Sequence, residues 1–203
     1  MAVSPLFSLR FQMIPWLFLL MGLVITYLAQ SGPREASRLA MQNEFEYRAG
    51  RIVEDIRSRL QSYEQVLEGT AGLFAGSESV GRHEFTQYVR SLRLEGKYPG
   101  IQGIGFSQLI LPDDLPGHVA AIRAEGIPGY DVRPEGAREL YSSIVWLEPA
   151  DWRNQRALGY DMFSEPVRRA AMRAARDEGH SRISGKVRLV QETDELVQAG
   201  FLM

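Results

Sequence analysis

A chain of 203 residues, 45% hydrophobic and 24% charged with a net charge of −2, is long enough for one domain with its own core plus an attached segment. The near-neutral balance supplies no basic footprint for nucleic acid. The absence of cysteine excludes disulfides, thiolate nucleophiles and Cys-ligated metals.

Between Arg10 and Arg34 the chain reads FQMIPWLFLLMGLVITYLAQSGP without a charge, and its apolar centre matches the ~20 residues a membrane-spanning helix needs. The expectation is a transmembrane helix over residues 11–31, with Trp16 and Tyr27 near its ends where amphipathic rings favour the interface. A cleavable signal peptide is the rival reading, with Arg10 as its basic region and Ala29 as a small residue. The apolar run is long for that purpose and Leu28-Ala29-Gln30 is a poor cleavage site, so an uncleaved anchor is favoured. A short N-terminal tail, residues 1–10, then stays in the cytoplasm and everything after Pro33 lies outside.

From Arg34 to about Phe74 there is no proline, and Ile52, Ile56, Leu60, Tyr63 and Leu67 recur at spacings of 4, 4, 3 and 4. That pattern predicts a long stalk helix over residues 34–75 with one apolar stripe. Glu54, Arg57, Arg59 and Glu64 occupy its other faces. Forty residues at ~1.5 Å each extend about 60 Å, so the helix is expected either to be a solvated stalk or to dimerise near the membrane and serve as a domain backbone further out.

A glycine-rich break at Gly69 to Gly81 precedes RHEFTQYVRSLRLEG, a predicted helix with Phe85, Tyr88, Val89 and Leu92 on one face and Gly96 beyond its end. The stretch YPGIQGIGFSQLIL, Tyr98 to Leu111, alternates like a strand yet carries Gly100, Gly103 and Gly105, which mark a bulge or a close approach by another group. PDDLPGHVAAIRAEG follows, with Asp113 or Asp114 as cap and Pro116 in the first helical turn. Ile127 to Pro134 reads as a turn and short strand, and YSSIVWLEP, Tyr141 to Pro149, as another strand. SEPVRRAAMRAARDEG is a bounded helix with Ser164 as cap, Pro166 in its first turn and Gly179 as its stop. Val167, Ala170, Ala171 and Ala174 are expected to pack on the sheet, leaving Arg168, Arg169, Arg173 and Arg176 on the solvated side. KVRLVQ and the terminal AGFLM read as a hairpin pair joined by ETDELVQ. Strands alternating with helices without a βαβ rhythm predict an α+β domain with an antiparallel sheet and helices on one side.

Most catalytic readings fail on spacing. Gly-x-x-Gly-x-Gly followed by more strand is not a dinucleotide fingerprint. His83, His118 and His180 have no partner at a metal-binding interval, no serine sits in a Gly-x-Ser-x-Gly elbow, and Asp113-Asp114 is explained by the positive end of the following helix. The polar residues that invite a ligand lie in WLEPADWRNQRALGYDM: Glu148 after an apolar strand, Asn154 and Arg156 in a loop with Trp152, and Asp161 after Gly159. An aromatic-lined cavity with a few converging polar groups is what a small-ligand pocket requires. The structural alternative makes Asp161 a turn former, Glu148 a solvated acid and Trp152 a core plug.

The N-terminal span, the long helix, YPGIQGIGFSQLI, IVWLEP, ALGYDMFSEPVRRAAMRAARDEG, SGKVRLVQE and GFL together resemble the CHASE domain, the extracellular sensor module of membrane receptor kinases and cyclases. The resemblance runs from about Ala36 to the end. It implies a stalk helix followed by PAS-like α+β halves, the membrane-distal one holding a small ligand, which is a cytokinin in plant members. By that resemblance Glu148 stands near the place of the ligand-binding aspartate and Ile183 or Ser184 near that of a threonine, although glutamate followed by Pro149 departs from the cytokinin pattern. Family members continue into a second span and a histidine kinase or diguanylate cyclase; ending at Met203, the chain reads as a truncated, catalytically silent receptor. The expectation is thus a single-pass protein of a bacterial inner membrane, its CHASE-like sensor domain (76–203, incomplete) in the periplasm. Glu148, Trp152, Asp161, Ile183 and Ser184 are its candidate ligand-binding residues. The partners expected are a small molecule of unknown identity, the membrane and a second copy through the long helix, with no cofactor, metal or nucleic acid. The alternative is an envelope-anchored structural or protein-interaction module without a pocket, and the two differ in whether Glu148, Trp152 and Asp161 converge on a cavity.

Overall fold

The computed structural model describes the backbone of residues 6–191 and 199–203, and the side chains of 14–28, 38–191 and 199–203. It divides into two units, Met1–Arg57 and Ser58–Met203. Helix α1 (Leu6–Ala75) is continuous where the sequence predicted separate span and stalk helices. A proline within a helix removes one amide donor, and here the rest of the ladder carries the backbone through Pro33. Every described side chain from Ile14 to Leu28 is exposed. Among the described residues no helix is long and apolar enough to cross a membrane; the expected span falls partly on residues whose side chains lie outside them. Ile52 and Ile56 are exposed as well, and the ion pairs Arg48–Glu44 and Arg57–Glu54 sit on the same surface of charges.

In the second unit, α1 presents Val66 and Thr70 as buried residues flanked by half-buried Tyr63, Leu67 and Phe74. Val66 joins Phe85 and Val89 of α2 (Arg82–Leu92), Leu94 and Ile104 in one apolar cluster. The Glu84 carboxylate accepts the Gly81 N–H at 2.9 Å and so satisfies one amide at the start of α2. The predicted helix over residues 82–95 is broken at Arg93, whose φ of 54° is left-handed, and restarts as the short α3 (Leu94–Lys97). Gly96 therefore lies inside α3 and does not follow a helix end.

Strand β1 (Ile104–Ile110) pairs antiparallel with β2 (Tyr141–Glu148), from Ile104 opposite Glu148 to Ile110 opposite Tyr141, with a bulge between Phe106 and Ser107. The first glycines of the quoted stretch lie outside β1, and close packing accounts for them. A Cβ on Gly103 would stand 3.0 Å from the Glu148 carbonyl oxygen and 3.1 Å from Asn154 Nδ2; one on Gly105 would stand 3.0 Å from Leu147 Cδ1. Gly103→Ala is expected to destabilise the fold by about 1–3 kcal/mol through overpacking, whereas Gly96→Ala, with nothing near its added carbon, is expected to be neutral or slightly stabilising. Denaturant melts of the two variants check the contrast.

Beyond β2 the layer continues through single bridges. The Ile144 N–H donates to the Tyr160 carbonyl oxygen and the Gly159 N–H to that of Ile144, Ser143 bridges Asp161, and Arg133 bridges Tyr160. Helix α4 (Leu115–Ala124) follows a 3₁₀ turn at Pro112–Asp114 and has Pro116 in its first turn, as predicted, but neither aspartate side chain makes a capping hydrogen bond. Ile122 of α4 packs with Ile110, Tyr130, Val132, Tyr141 and Val145 in a second cluster.

After the single turn α5 (Trp152–Gln155), α6 (Pro166–Glu178) ends at Gly179 with φ 73°, as predicted. Its cap is Glu165, whose carboxylate accepts the Val167 and Arg168 N–H groups; Ser164 instead donates to the Asp161 carbonyl oxygen. The inward face also differs from the prediction. Arg168 is buried, whereas Val167 and Ala170 are exposed. Contacts of Arg168 with Tyr160, Met162 and the Arg188 carbonyl oxygen turn that side of the helix inward. Strands β3 (Val187–Arg188) and β4 (Ala199–Gly200) pair antiparallel, as predicted; the connection between them lies outside the described residues. Helices with two small antiparallel sheets make this an α+β fold.

Candidate functional site

A cavity of ≈ 570 Å³ opens beside the end of β2, walled by the loop Gly126–Tyr130, Arg82 of α2, Arg133, Trp146, Leu147, Glu148 and residues from Ala150 to Leu158. Trp146 ties its wall to an aromatic cluster. Trp146 stands 5.5 Å from Phe85, 5.0 Å from Phe106 and 6.2 Å from Phe74 of α1, ring centre to ring centre, and lies nearly parallel to Phe74 at 16°. Three arginines, Arg82, Arg133 and Arg156, and one carboxylate, Glu148, line the cavity.

The polar groups of this wall differ in how fully they are engaged. Glu148 is buried; its Oε1 accepts from the Thr86 hydroxyl at 2.6 Å and its Oε2 from the Ala150 N–H at 3.0 Å. Arg133 donates to the carbonyl oxygens of Leu158 (2.9 Å) and Arg156 (3.2 Å). Arg82 reaches the Val145 carbonyl oxygen and Glu125 only at 3.4 and 3.5 Å, and its Nε, like Trp146 Nε1, is buried without a hydrogen-bond partner. Unmatched donors of this kind are unusual in a native interior. The Tyr130 hydroxyl joins Ser143 Oγ (2.7 Å) and His118 Nε2 (2.9 Å). Burial pushes the Tyr130 phenol up, against the hydrogen bond from Ser143, and pushes the His118 imidazole down, against the charge of Glu125. Both shifts favour the neutral forms, so this corner adds polarity without charge.

The five residues singled out in the sequence do not come together. Glu148 lines the cavity. Asp161 is fully buried behind β2, where Oδ1 accepts the N–H groups of Ser142 (2.9 Å) and Phe163 (3.0 Å) and Oδ2 forms an ion pair with Arg138 Nε at 2.8 Å, off the line of a hydrogen bond. Trp152 is 61% exposed with the Arg153 guanidinium 5.4 Å over its ring, and Ile183 is 47% exposed. Ser184 is buried and used structurally: its N–H donates to the Leu202 carbonyl oxygen and its Oγ accepts the Leu202 N–H, both at 2.8 Å. Asn154, also noted in the sequence, is fully buried and donates to the carbonyl oxygens of Pro149 (2.8 Å) and Gln102 (3.3 Å), which fixes the close approach at Gly103. Among the described residues no cluster of three or more His, Asp or Glu side chains could hold a metal.

Residues 78–203, more than half of the chain and including the whole cavity wall, match the CHASE domain family. The chain belongs to the CHASE domain family. CHASE domains are extracellular sensory input modules of receptors, and the cavity at the edge of β2 lies within the matched stretch. No curated protein matches the chain. The CHASE match begins after α1, whose Val66 and Phe74 pack against the matched stretch. Sequence reasoning missed Trp146, Tyr130 and Arg82 as cavity residues. Trp146 was read only as part of an apolar strand, and Arg82 as the start of a helix; nothing local distinguishes a strand tryptophan over a cavity from one in a core.

Proposed function

We propose that this CHASE domain is the ligand-sensing input of a membrane receptor of the histidine kinase or diguanylate cyclase type, with its small-molecule ligand in the cavity lined by Trp146. The observation that carries the reading is the double role of Trp146, which forms a cavity wall and stacks on Phe74 of α1. A ligand that presses on or fills the space beside this ring has different contact energies in different placements of α1, which is the condition for shifting a conformational equilibrium. Thr86 and Glu148 provide a second connection, from the cavity to α2.

The same reading anchors the chain in the bacterial inner membrane through residues 11–31, with the sensor in the periplasm. Support comes from the exposed, apolar run Ile14–Leu28, because a helix apolar on all sides belongs in lipid or in a protein core. Ile52, Val53 and Ile56 are likewise exposed on α1 and offer a second copy of the chain a helix face to pack against. The domain acts by binding and carries no catalysis of its own; the kinase or cyclase belongs to the rest of the receptor.

Thermal melts of the full chain in detergent micelles against a library of small polar and aromatic compounds test the proposal. A true ligand at one hundred times its Kd is expected to stabilise the fold by about 2.7 kcal/mol, and Arg82→Gln is expected to weaken it without unfolding the domain. A well-folded chain that no compound stabilises sinks direct sensing and favours the interaction-module alternative.

A further inference from the structure

A second cavity, of ≈ 480 Å³, lies between the start of α6 and the segment Lys186–Val190, with Arg156 and Tyr160 completing its wall. Its central feature is Arg168, which is only 3% exposed. The Arg168 guanidinium donates to the Arg188 carbonyl oxygen at 2.5 Å, reaches Met162 Sδ at 3.5 Å and lies 4.9 Å over the Tyr160 ring. Its Nε has no hydrogen-bond partner. The one carboxylate in ion-pair range among the described residues, Glu165, stands 4.0 Å away and already accepts the Val167 and Arg168 N–H groups as the cap of α6. A buried cation so weakly neutralised is costly, because carbonyl, sulfur and ring contacts replace only part of its hydration. Lys186, exposed on the same wall, adds positive charge beside that of Arg156 and Arg188.

We propose that this cavity binds a small oxyanion, a carboxylate or phosphate group, which adds to the weak counter-charge that Glu165 gives Arg168. The planar guanidinium fork matches either group, and Lys186 contributes a point charge from the rim. Val187, Leu189 and Val190 leave an apolar side for the carbon skeleton of an organic acid. The site shares only Arg156 with the Trp146 cavity, and it stands whether or not that cavity senses a ligand.

The test is calorimetric titration and thermal melting of the full chain in detergent micelles with inorganic phosphate and, separately, with succinate, each against sodium chloride of equal ionic strength. Saturable binding of at least one anion is expected, at least tenfold weaker in Lys186→Glu. Binding of phosphate alone identifies a free phosphate group as the occupant, and binding of succinate alone an organic acid. Arg168→Gln is expected to abolish binding. Lys186→Glu changes only an exposed side chain, so it decides the matter even if Arg168→Gln fails to fold. No response to either anion beyond the chloride control, or equal binding by wild type and Lys186→Glu, overturns the site and leaves Arg168 as a structural pin on β3. Neither result bears on Arg82→Gln at the other cavity.

Discussion

Asp161→Ala is expected to lower the unfolding free energy by about 3–5 kcal/mol, the range for removing one partner of a buried ion pair. The carboxylate is fully buried and holds three groups at once: the Ser142 N–H at the start of β2, the Phe163 N–H in the turn before α6, and the Arg138 guanidinium. Alanine leaves two amides and a largely buried cation without their acceptor. Asp161→Asn keeps one acceptor oxygen for the amides but turns an amide group or a neutral oxygen toward Arg138, so an intermediate loss is expected. Denaturant melts at constant pH measure both. A loss under about 1 kcal/mol for Asp161→Ala would show that water replaces the carboxylate and that the three segments are held by packing instead.

The parts of this fold that could be read in advance are those set by local periodicity and punctuation. Pro166 and Gly179 bound α6 because one fits only a first turn and the other takes the left-handed stop. Strand β1 follows from alternating apolar residues, β2 from an apolar run, and the closing hairpin from two short apolar segments, while the pairing of β1 with β2 was not predicted. The CHASE-like segments were legible because several motifs occur in order across the domain. What stayed hidden depends on neighbours distant in sequence. Ser164 and Glu165 are both competent caps, and only the demand of the Asp161 carbonyl oxygen on the Ser164 hydroxyl leaves the role to Glu165. Arg168 reads as solvated by its chemistry; tertiary contacts with Tyr160, Met162 and β3 bury it. Asp161 was singled out as a candidate ligand residue with a turn former as the alternative; its bond to Phe163 fits the turn, but its pairing with Arg138 has no local signature. The Trp146 cavity draws its wall from separate segments between Arg82 and Leu158, so no short window of sequence contains it.

Phe85→Ala is expected to cost about 3–5 kcal/mol, because its ring has no exposed surface and deletion leaves a cavity between α2, α1 and the sheet. Phe85→Leu retains most of the volume and is expected to cost under about 1.5 kcal/mol. The more informative experiment pairs Phe74→Ala with Trp146→Ala in a double-mutant cycle. Their rings lie 6.2 Å apart at 16°, and such contacts contribute about 0.5–1.5 kcal/mol beyond buried area. A coupling energy in that range, read from equilibrium unfolding, makes Trp146 an energetic link between the proposed ligand cavity and α1. Additive losses would break that link even with ligand binding intact, since in the proposed sensing a cavity whose wall exerts no force on α1 has no means of biasing the placement of that helix.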